Sequence, residues 1–334
     1  MNKFSIILPV RNGGEYLKEC VKSILAQTLQ DFNFIVLDNC STDGSAEWLE
    51  SLQNEKIIIY KADKSLSIEE NWGRIVDVPK NEFITLIGHD DILYPDFLET
   101  INSLILQYPD ASLYHTHFNF INAESGIIRR SKPMKHRYTG NELLQGLLTL
   151  AVDSMGTGYV MRSTDYDKQG GIPVRYPSLL FADFELWLKL ARINYEVVSE
   201  RTCFAFRVHQ STTTTSKDAQ LHKALGIFVN FLAGLKADEK DAAIIRQHAP
   251  AFLLTYASSY SNRLLRTPLE LRGNVKVKDY VKETRNFAAL LGLGTEYKPE
   301  KKMLIKIAMV IDSNFFLRKI FLAFKKTYSK PVIK

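Results

Sequence analysis

Two adjacent carboxylates at the end of an apolar run are the most chemically pointed feature of this sequence. Glu82-Phe83-Ile84-Thr85-Leu86-Ile87-Gly88-His89-Asp90-Asp91 passes from consecutive apolar positions straight into an acidic tip. Such a run is expected of a strand covered on both faces, as in a parallel sheet. The carboxyl ends of those strands are where open α/β sheets bind ligands. Neighbouring aspartates repel one another and call for a cation or a cluster of donors. The chemistry this points to is a divalent metal at the tip and, through it, a phosphorylated substrate.

The elements that must position the tip follow from periodicity. Phe4–Val10 reads as a first strand and Arg11-Asn12-Gly13-Gly14 as a turn. Glu15–Thr28 carries Leu17, Val21, Ile24 and Leu25 at helical spacing. Phe32–Leu37 is a second strand, Ser45–Leu52 a helix, and Lys56–Tyr60 a third strand. Ser67 is placed to cap a helix from Ile68 to about Val76, with Glu70 completing a capping box. Four strands separated by helices predict a Rossmann-like, mostly parallel α/β sheet flanked by helices. Further on, the spacing predicts a helix over 96–107, a hairpin of Ser112–Ile121 with Gly126–Arg130, and a helix near 141–150. A strand over 156–161, a helix over 183–193 and a last strand over 202–208 complete the first part. The polar run 210–216 marks a boundary, giving domains 1–215 and 216–334. Beyond it the sequence reads as helices over 219–235, 242–263, 276–291 and 301–327.

Composition is that of a globular protein, 46% hydrophobic and 24% charged, with a net charge of +6 over 334 residues. Nine Lys and Arg against one Asp in residues 301–334 put +8 there, so the other 300 residues sum to −2. The basic character therefore belongs to the tail, and no recognition motif for nucleic acid accompanies it. Cys20, Cys40 and Cys203 are too few for a disulfide framework, which suits a reducing cytoplasm. Phe4–Val10 is short, contains Pro9 and stops at Arg11, so a first strand is expected in place of a signal peptide.

Four pieces of the first ~210 residues then resemble the family 2 glycosyltransferases, which have the A-type glycosyltransferase fold. Ser5-Ile6-Ile7-Leu8-Pro9-Val10-Arg11-Asn12 is similar to the family's opening strand and turn. Asp38-Asn39-Cys40-Ser41-Thr42-Asp43-Gly44-Ser45 resembles its second-strand motif. Asn71-Trp72-Gly73-Arg74, Glu82-Phe83-Ile84 and Asp90-Asp91-Ile92-Leu93-Tyr94-Pro95 resemble its metal-site region. Ala182-Asp183-Phe184-Glu185-Leu186-Trp187-Leu188 and Phe206-Arg207-Val208-His209 resemble its catalytic and closing segments. The helical last third lies outside the resemblance.

The resemblance implies inverting transfer of a sugar from a nucleoside diphosphate, UDP in the first instance, to a hydroxyl of a saccharide or lipid-linked acceptor. It implies Asp183 as general base and Asp90 as ligand of Mg2+ or Mn2+, with His209 beside it and Asp91 as a further candidate. Pro9, Arg11, Asp38, Asn71, Asp90 and Arg207 are the expected donor contacts. The family often has an acid where Gly88 stands and a Glu where Ala182 stands. An ordinary acid at a helix start accounts for Asp43, and packed or surface histidines account for His115 and His117. The basic stretch Arg129–Arg137 suits either an anionic acceptor or a solvated loop.

Within 301–334, apolar residues interleave with Lys306, Arg318, Lys319, Lys325 and Lys326, a pattern that favours an anionic membrane surface, the alternative being a helix packed on the catalytic domain with its lysines outward. The place this implies is the cytoplasmic face of a bacterial membrane, in surface polysaccharide synthesis. A non-catalytic binding or scaffold protein is the rival reading. A nucleotidyltransferase is disfavoured because Arg11-Asn12-Gly13-Gly14 lacks the Lys-Ser/Thr of a phosphate loop.

Overall fold

Seven consecutive buried residues, Phe4–Val10, form strand β1, and the first unit is built outward from it. Parallel to β1 run β2 (Phe32–Asp38) on one side and β4 (Phe83–Leu86) on the other, with β3 (Ile57–Lys61) outside β2. The computed structural model describes residues 2–208, 218–267, 269, 272, 274–294 and 297–328. Past β4, the short antiparallel β9 (Val160–Arg162) joins the sheet to β6 (Leu113–Ile121), which lies parallel to β10 (Glu196–Arg207). β5 (Ile92–Leu93) and β8 (Arg137–Tyr138) pair with β10, and β7 (Ile127–Arg130) forms the expected hairpin with β6. The order is β3-β2-β1-β4-β9-β6-β10-β5, with the longer ladders parallel and the short ones antiparallel. From β1 the chain steps outward to β2 and β3, then crosses back to place β4 on the other side of β1. This is the switch point at which α/β sheets open a crevice for ligands.

Helices cover the sheet as the apolar spacing requires. α1 (Gly14–Leu25) buries Leu17, Cys20, Val21 and Ile24. α2 (Ser45–Ser51) follows β2. α3 (Ile68–Gly73) starts in the expected capping box of Ser67 and Glu70, then tightens into a 3-10 turn, Arg74–Asp77, before Val78. α4 (Phe97–Gln107), α5 (Gly140–Leu148), α6 (Ser163–Lys168) and α7 (Ala182–Ala191) complete the unit. One core runs from Phe4, Ile6 and Leu8 through Phe34, Phe83 and Ile101 to Phe118 and Phe204.

Two strand boundaries differ from expectation. β10 begins at Glu196, ahead of Thr202, because the polar stretch Ser199-Glu200-Arg201 is a register break inside one long strand. β9 begins only at Val160; Gly158 takes φ +84°, and a Cβ there would lie 2.3 Å from the Phe204 ring. Glu196 itself is buried with Oε2 lacking a partner among the described residues, and burial pushes its pKa up to about 8.

Contacts divide the chain into two compact units, Met1–Thr215 and Ser216–Lys334. The second holds α8 (Asp218–Leu235), α9 (Glu239–Arg266), α10 (Val277–Leu290), α11 (Met303–Ser313) and α12 (Phe315–Tyr328). Ala257, Leu264, Val277, Val281, Ile305 and Ala308 pack at its centre, where Arg272 and Asp312 form a buried ion pair at 2.6 Å. The single helix expected over 301–327 is broken at Asn314. Its backbone is extended, and its Oδ1 accepts from the N–H groups of Phe316 and Leu317 at 3.0 and 3.1 Å, capping α12. No described helix is long and apolar enough to cross a membrane.

Candidate active site

One wall of the crevice is made where β1 and β2 end in register, Val10 opposite Asp38. Pro9 lies two residues beyond the last β1–β4 pair, Ile7 with Leu86, so its missing N–H removes no bond from that ladder. The turn after β1 is laced to the loop after β2. Asn12 N–H donates to Ser41 Oγ at 3.0 Å and Thr42 N–H to Asn12 Oδ1 at 2.8 Å. Gly13 N–H donates to Ser45 Oγ at 3.1 Å and Gly14 N–H to Asp43 Oδ2 at 3.0 Å. Asp43 is thus a loop tie, in keeping with a structural acid. Arg11 stands exposed at the rim. Asp38 is 2% exposed; its Oδ2 accepts only a long bond from Ser41 N–H, 3.4 Å, and its Oδ1 has no partner among the described residues. A buried carboxylate oxygen left without a donor is costly, and here it lies at the ligand-binding end of the sheet.

Asn71 does not meet the expectation of a donor contact. It is buried, its Nδ2 donates to Leu37 O at 3.2 Å, and its Oδ1 accepts from Arg74 Nη1 at 2.9 Å. Arg74 also donates to Asp38 O at 3.0 Å and Tyr60 O at 2.8 Å. The pair clamps the ends of β2 and β3, which fixes the Asp38 backbone.

The acidic tip is the second wall. Gly88 O accepts from Asp91 N–H at 3.2 Å, turning the chain tightly around His89 and Asp90. Asp91 points inward: Oδ2 accepts from Thr157 Oγ1 at 2.5 Å and Oδ1 from Arg207 N–H at 2.9 Å. Burial, then the charge of Asp90, push the Asp91 pKa well above the usual carboxylate range. Asp91 thus supports the tip, with both carboxylate oxygens accepting from the protein. Asp90 is half-buried. A Cβ on Gly88 would come within 2.8 Å of Asp90 Oδ1 and 3.2 Å of Asp91 Oδ2. The glycine gives the two carboxylates room that an acid at this position would occupy.

Arg207 likewise departs from the role expected of it. Its side chain is sealed from solvent, with Nε donating to Asp90 O at 2.7 Å and Nη2 to Glu19 Oε2 at 2.6 Å. Nη1 donates to Asn122 O, Ala123 O and Ser125 Oγ at 2.9–3.1 Å, and the guanidinium lies over the Tyr16 ring. So engaged, it holds the Asp90 backbone. His209 lies outside the described residues. Among the described residues, no group of three His, Cys, Asp or Glu side chains is arranged to hold a metal. A half-buried Asp90 beside the cleared space at Gly88 still fits a metal that takes its remaining ligands from phosphate and water.

The third wall carries Asp183, in the first turn of α7. The chain reaches it through three non-glycine residues in the left-handed region: Ser178 (φ 54°), Leu179 (φ 55°) and Phe181 (φ 68°). Such backbone costs about 1–3 kcal/mol per residue and persists only where surroundings impose it. Here Ser178 N–H donates to Glu69 Oε1 at 2.6 Å. Buried Glu185 is gripped by Arg175, by the Tyr176 hydroxyl at 2.7 Å and by Lys189 at 2.8 Å. Trp187 donates to Met155 O at 3.0 Å and stacks on Tyr159 at 4.2 Å. Asp183 keeps some surface open to solvent, yet protein crowds its carboxyl and pushes its pKa up to about 6, against the pull of the Phe184 N–H at 3.0 Å. A carboxylate so raised is a stronger base than usual and is still ionised at neutral pH.

The segment 155–159 links the second and third walls, since Thr157 holds Asp91 while Met155 and Tyr159 hold Trp187. Glu69, on α3, links the first and third. Thr157, Glu69, Glu185 and Glu19 were not singled out from the sequence. Only the Gly-Thr-Gly spacing around Thr157 offers a signal, that of backbone held close to another chain segment. His115, whose Nδ1 lies 2.9 Å from Gly158 O, stacks on Tyr159 at 3.8 Å in the core, and burial lowers its pKa to about 3. His117 binds Ser199 O and Met134 N–H. In the basic loop, Arg129 pairs with Asp153 at 2.8 Å and lies over Phe120.

The model of the family described as glycosyl transferase family 2 matches residues 5–167. An uncharacterized glycosyltransferase of Rickettsia typhi is 28% identical over 239 residues, 70% of this chain and 73% of that protein. Among solved structures, TarS 1–349 of S. aureus in complex with UDP-GlcNAc superposes with a TM-score of 0.66 at 14% identity, covering 98% of this chain and 93% of TarS 1–349. The mannosyltransferase PcManGT of Pyrobaculum calidifontis, solved with GDP-Man and Mn2+, gives 0.51 at 12% identity over 97% and 88%. Residues 5–167 of the first unit are thus similar to glycosyl transferase family 2, and the fold is the A-type glycosyltransferase fold with a helical C-terminal region.

Proposed function

We propose that the protein moves a sugar, with inversion, from a uridine diphosphate sugar to a hydroxyl of a saccharide or lipid-linked saccharide in the synthesis of a bacterial surface glycan. The observation that supports the reading is a set of three carboxylates on segments tied to one another through Thr157, Met155 and Glu69. Asp38 is buried with an unfilled acceptor, Asp90 lies at a strand tip cleared by Gly88, and Asp183 is raised to about 6. A uracil N–H or a ribose hydroxyl is a donor of the kind that Asp38 Oδ1 lacks. Pro9 and Arg11 shape the same wall. The UDP-GlcNAc complex of a protein with this fold supports a uridine nucleotide.

In the reaction, Asp183 accepts the proton of the acceptor hydroxyl as its oxygen forms a bond to the anomeric carbon. The bond from that carbon to the diphosphate oxygen breaks on the opposite face, and UDP leaves with the electron pair. Mg2+ or Mn2+, held by Asp90 together with the donor's phosphates, would supply positive charge against the departing diphosphate. Asp91, Arg207 and Thr157 keep Asp90 in place throughout.

The test is a panel of nucleotide sugars incubated with the full chain and Mn2+, with release of free nucleotide as readout. Turnover of a UDP-sugar that Asp183→Asn abolishes without loss of donor binding is the expected result. Binding without release, even with mixed saccharide acceptors, would favour the scaffold reading, for which Gly88 and Ala182 at often acidic positions are the supporting observation. Turnover confined to GDP-sugars would overturn the choice of nucleotide.

A further inference from the structure

Half of the large apolar side chains that stand exposed among the described residues fall between 303 and 324, on α11 and α12. The two helices do have an inward side, where Ile305 and Ala308 are buried and Phe321 packs against them. A second apolar face is left over. On α11 it carries Met303, Ile307 and Val310, at helical spacing and 74%, 47% and 52% exposed. On α12, Phe316 and Ile320, one turn apart, are 74% and 66% exposed, with Phe315 beside them at 65%. Exposed apolar surface so concentrated marks an interaction site.

Charge decides the partner. The only acid of residues 301–334, Asp312, is buried: it pairs with Arg272 and accepts from Val277 N–H at 2.8 Å. The outer surface of α11 and α12 therefore shows cations without anions, with Lys301, Lys306 and Lys319 exposed among the apolar residues. A second copy of this face would bring like charge against like charge across the contact. Two helices of 11 and 14 residues are too short to span a bilayer and suit lying in its plane, about 16 and 21 Å long. Long lysine stems reach from such a face to phosphate headgroups while the aromatic and aliphatic side chains enter the acyl boundary.

We propose that α11 and α12 together form an in-plane docking face for a bilayer rich in anionic phospholipid. The face is independent of the sugar chemistry, and its test leaves the reaction aside. The full chain is floated with vesicles of phosphatidylcholine alone and of phosphatidylcholine containing about a third phosphatidylglycerol. Each lysine near an anionic surface contributes about a fivefold gain in binding, so at least tenfold stronger binding to the anionic vesicles at low salt is expected. Phe316→Ser combined with Ile320→Ser should lower that binding at least tenfold. Both side chains are exposed, and an unchanged thermal melt verifies that the variant is folded. Lys306→Glu with Lys319→Glu should remove the preference for anionic lipid. Equal binding to both vesicle types, or binding that the serine pair leaves unchanged, overturns the proposal. So does absence of vesicle binding, whether or not the chain self-associates in a way the serine pair abolishes.

Discussion

Asp183 has the environment of a base tuned toward neutrality. Its carboxyl, with a pKa of about 6, is protonated below that pH and ionised above it. The acceptor-dependent rate should therefore climb from pH 5 to 7 and level off above, measured at saturating donor. Asp183→Asn should lower kcat by about 10²–10⁴-fold with the donor dissociation constant unchanged in calorimetry. Asp38→Asn should act the other way round. Losing a charge-assisted bond to the nucleotide costs about 1.5–3 kcal/mol, seen as weaker UDP binding with little change in thermal stability. These carboxylates were legible because each stands at a strand end or a helix start inside a recognisable string. The bonds that Asn71 and Arg207 make within the protein were not legible, for a physical reason. A sequence says which groups can donate, but not that Leu37, Asp90, Asn122 and Ala123 carbonyls have already accepted.

Elements were legible where apolar spacing was unbroken, as in β1, β4 and α1, and where a local rule is complete, as in the Ser67–Glu70 box. They were hidden where tertiary contacts override the local pattern: β10 continues through Ser199-Glu200-Arg201, and Asn314 divides one apolar run into α11 and α12. The Arg207 clamp joins β10 to β4, α1 and the β6–β7 turn, so replacement by Lys, which cannot fork to the same acceptors, should cost about 2–4 kcal/mol in urea unfolding. At the other end of β10, Glu196 has a folded pKa of about 8 against an ordinary 4.5. Below pH 4.5 both folded and unfolded forms hold the proton; between 4.5 and 8 only the folded form does. Stability should thus fall as pH rises through that window, by roughly 2–4 kcal/mol between pH 5 and 8. Glu196→Gln should flatten the dependence, with urea midpoints at the two pH values as the check.

At the scale of the whole molecule, the sequence showed where charge accumulates but not which of it faces water. The burial of Asp312 makes the surface of the tail more one-sided than its composition. Asp312→Ala leaves Arg272 buried without its counter-ion and should destabilise the second unit by about 3–5 kcal/mol. Amide exchange should then quicken in peptides from 216–334 and stay unchanged in those from 1–208. The first unit is tied together over a still longer span, since the Arg207–Glu19 pair joins residues 188 apart in sequence. A chain leaving the ribosome presents Asp38, Asp90 and Asp183 well before Arg207 arrives to bond Asp91 and the Asp90 carbonyl. Any nascent chain or proteolytic fragment ending before residue 207 holds all three carboxylates with the acidic tip unlocked. The last strand of the sheet to be synthesised is thus the one that locks the acidic tip.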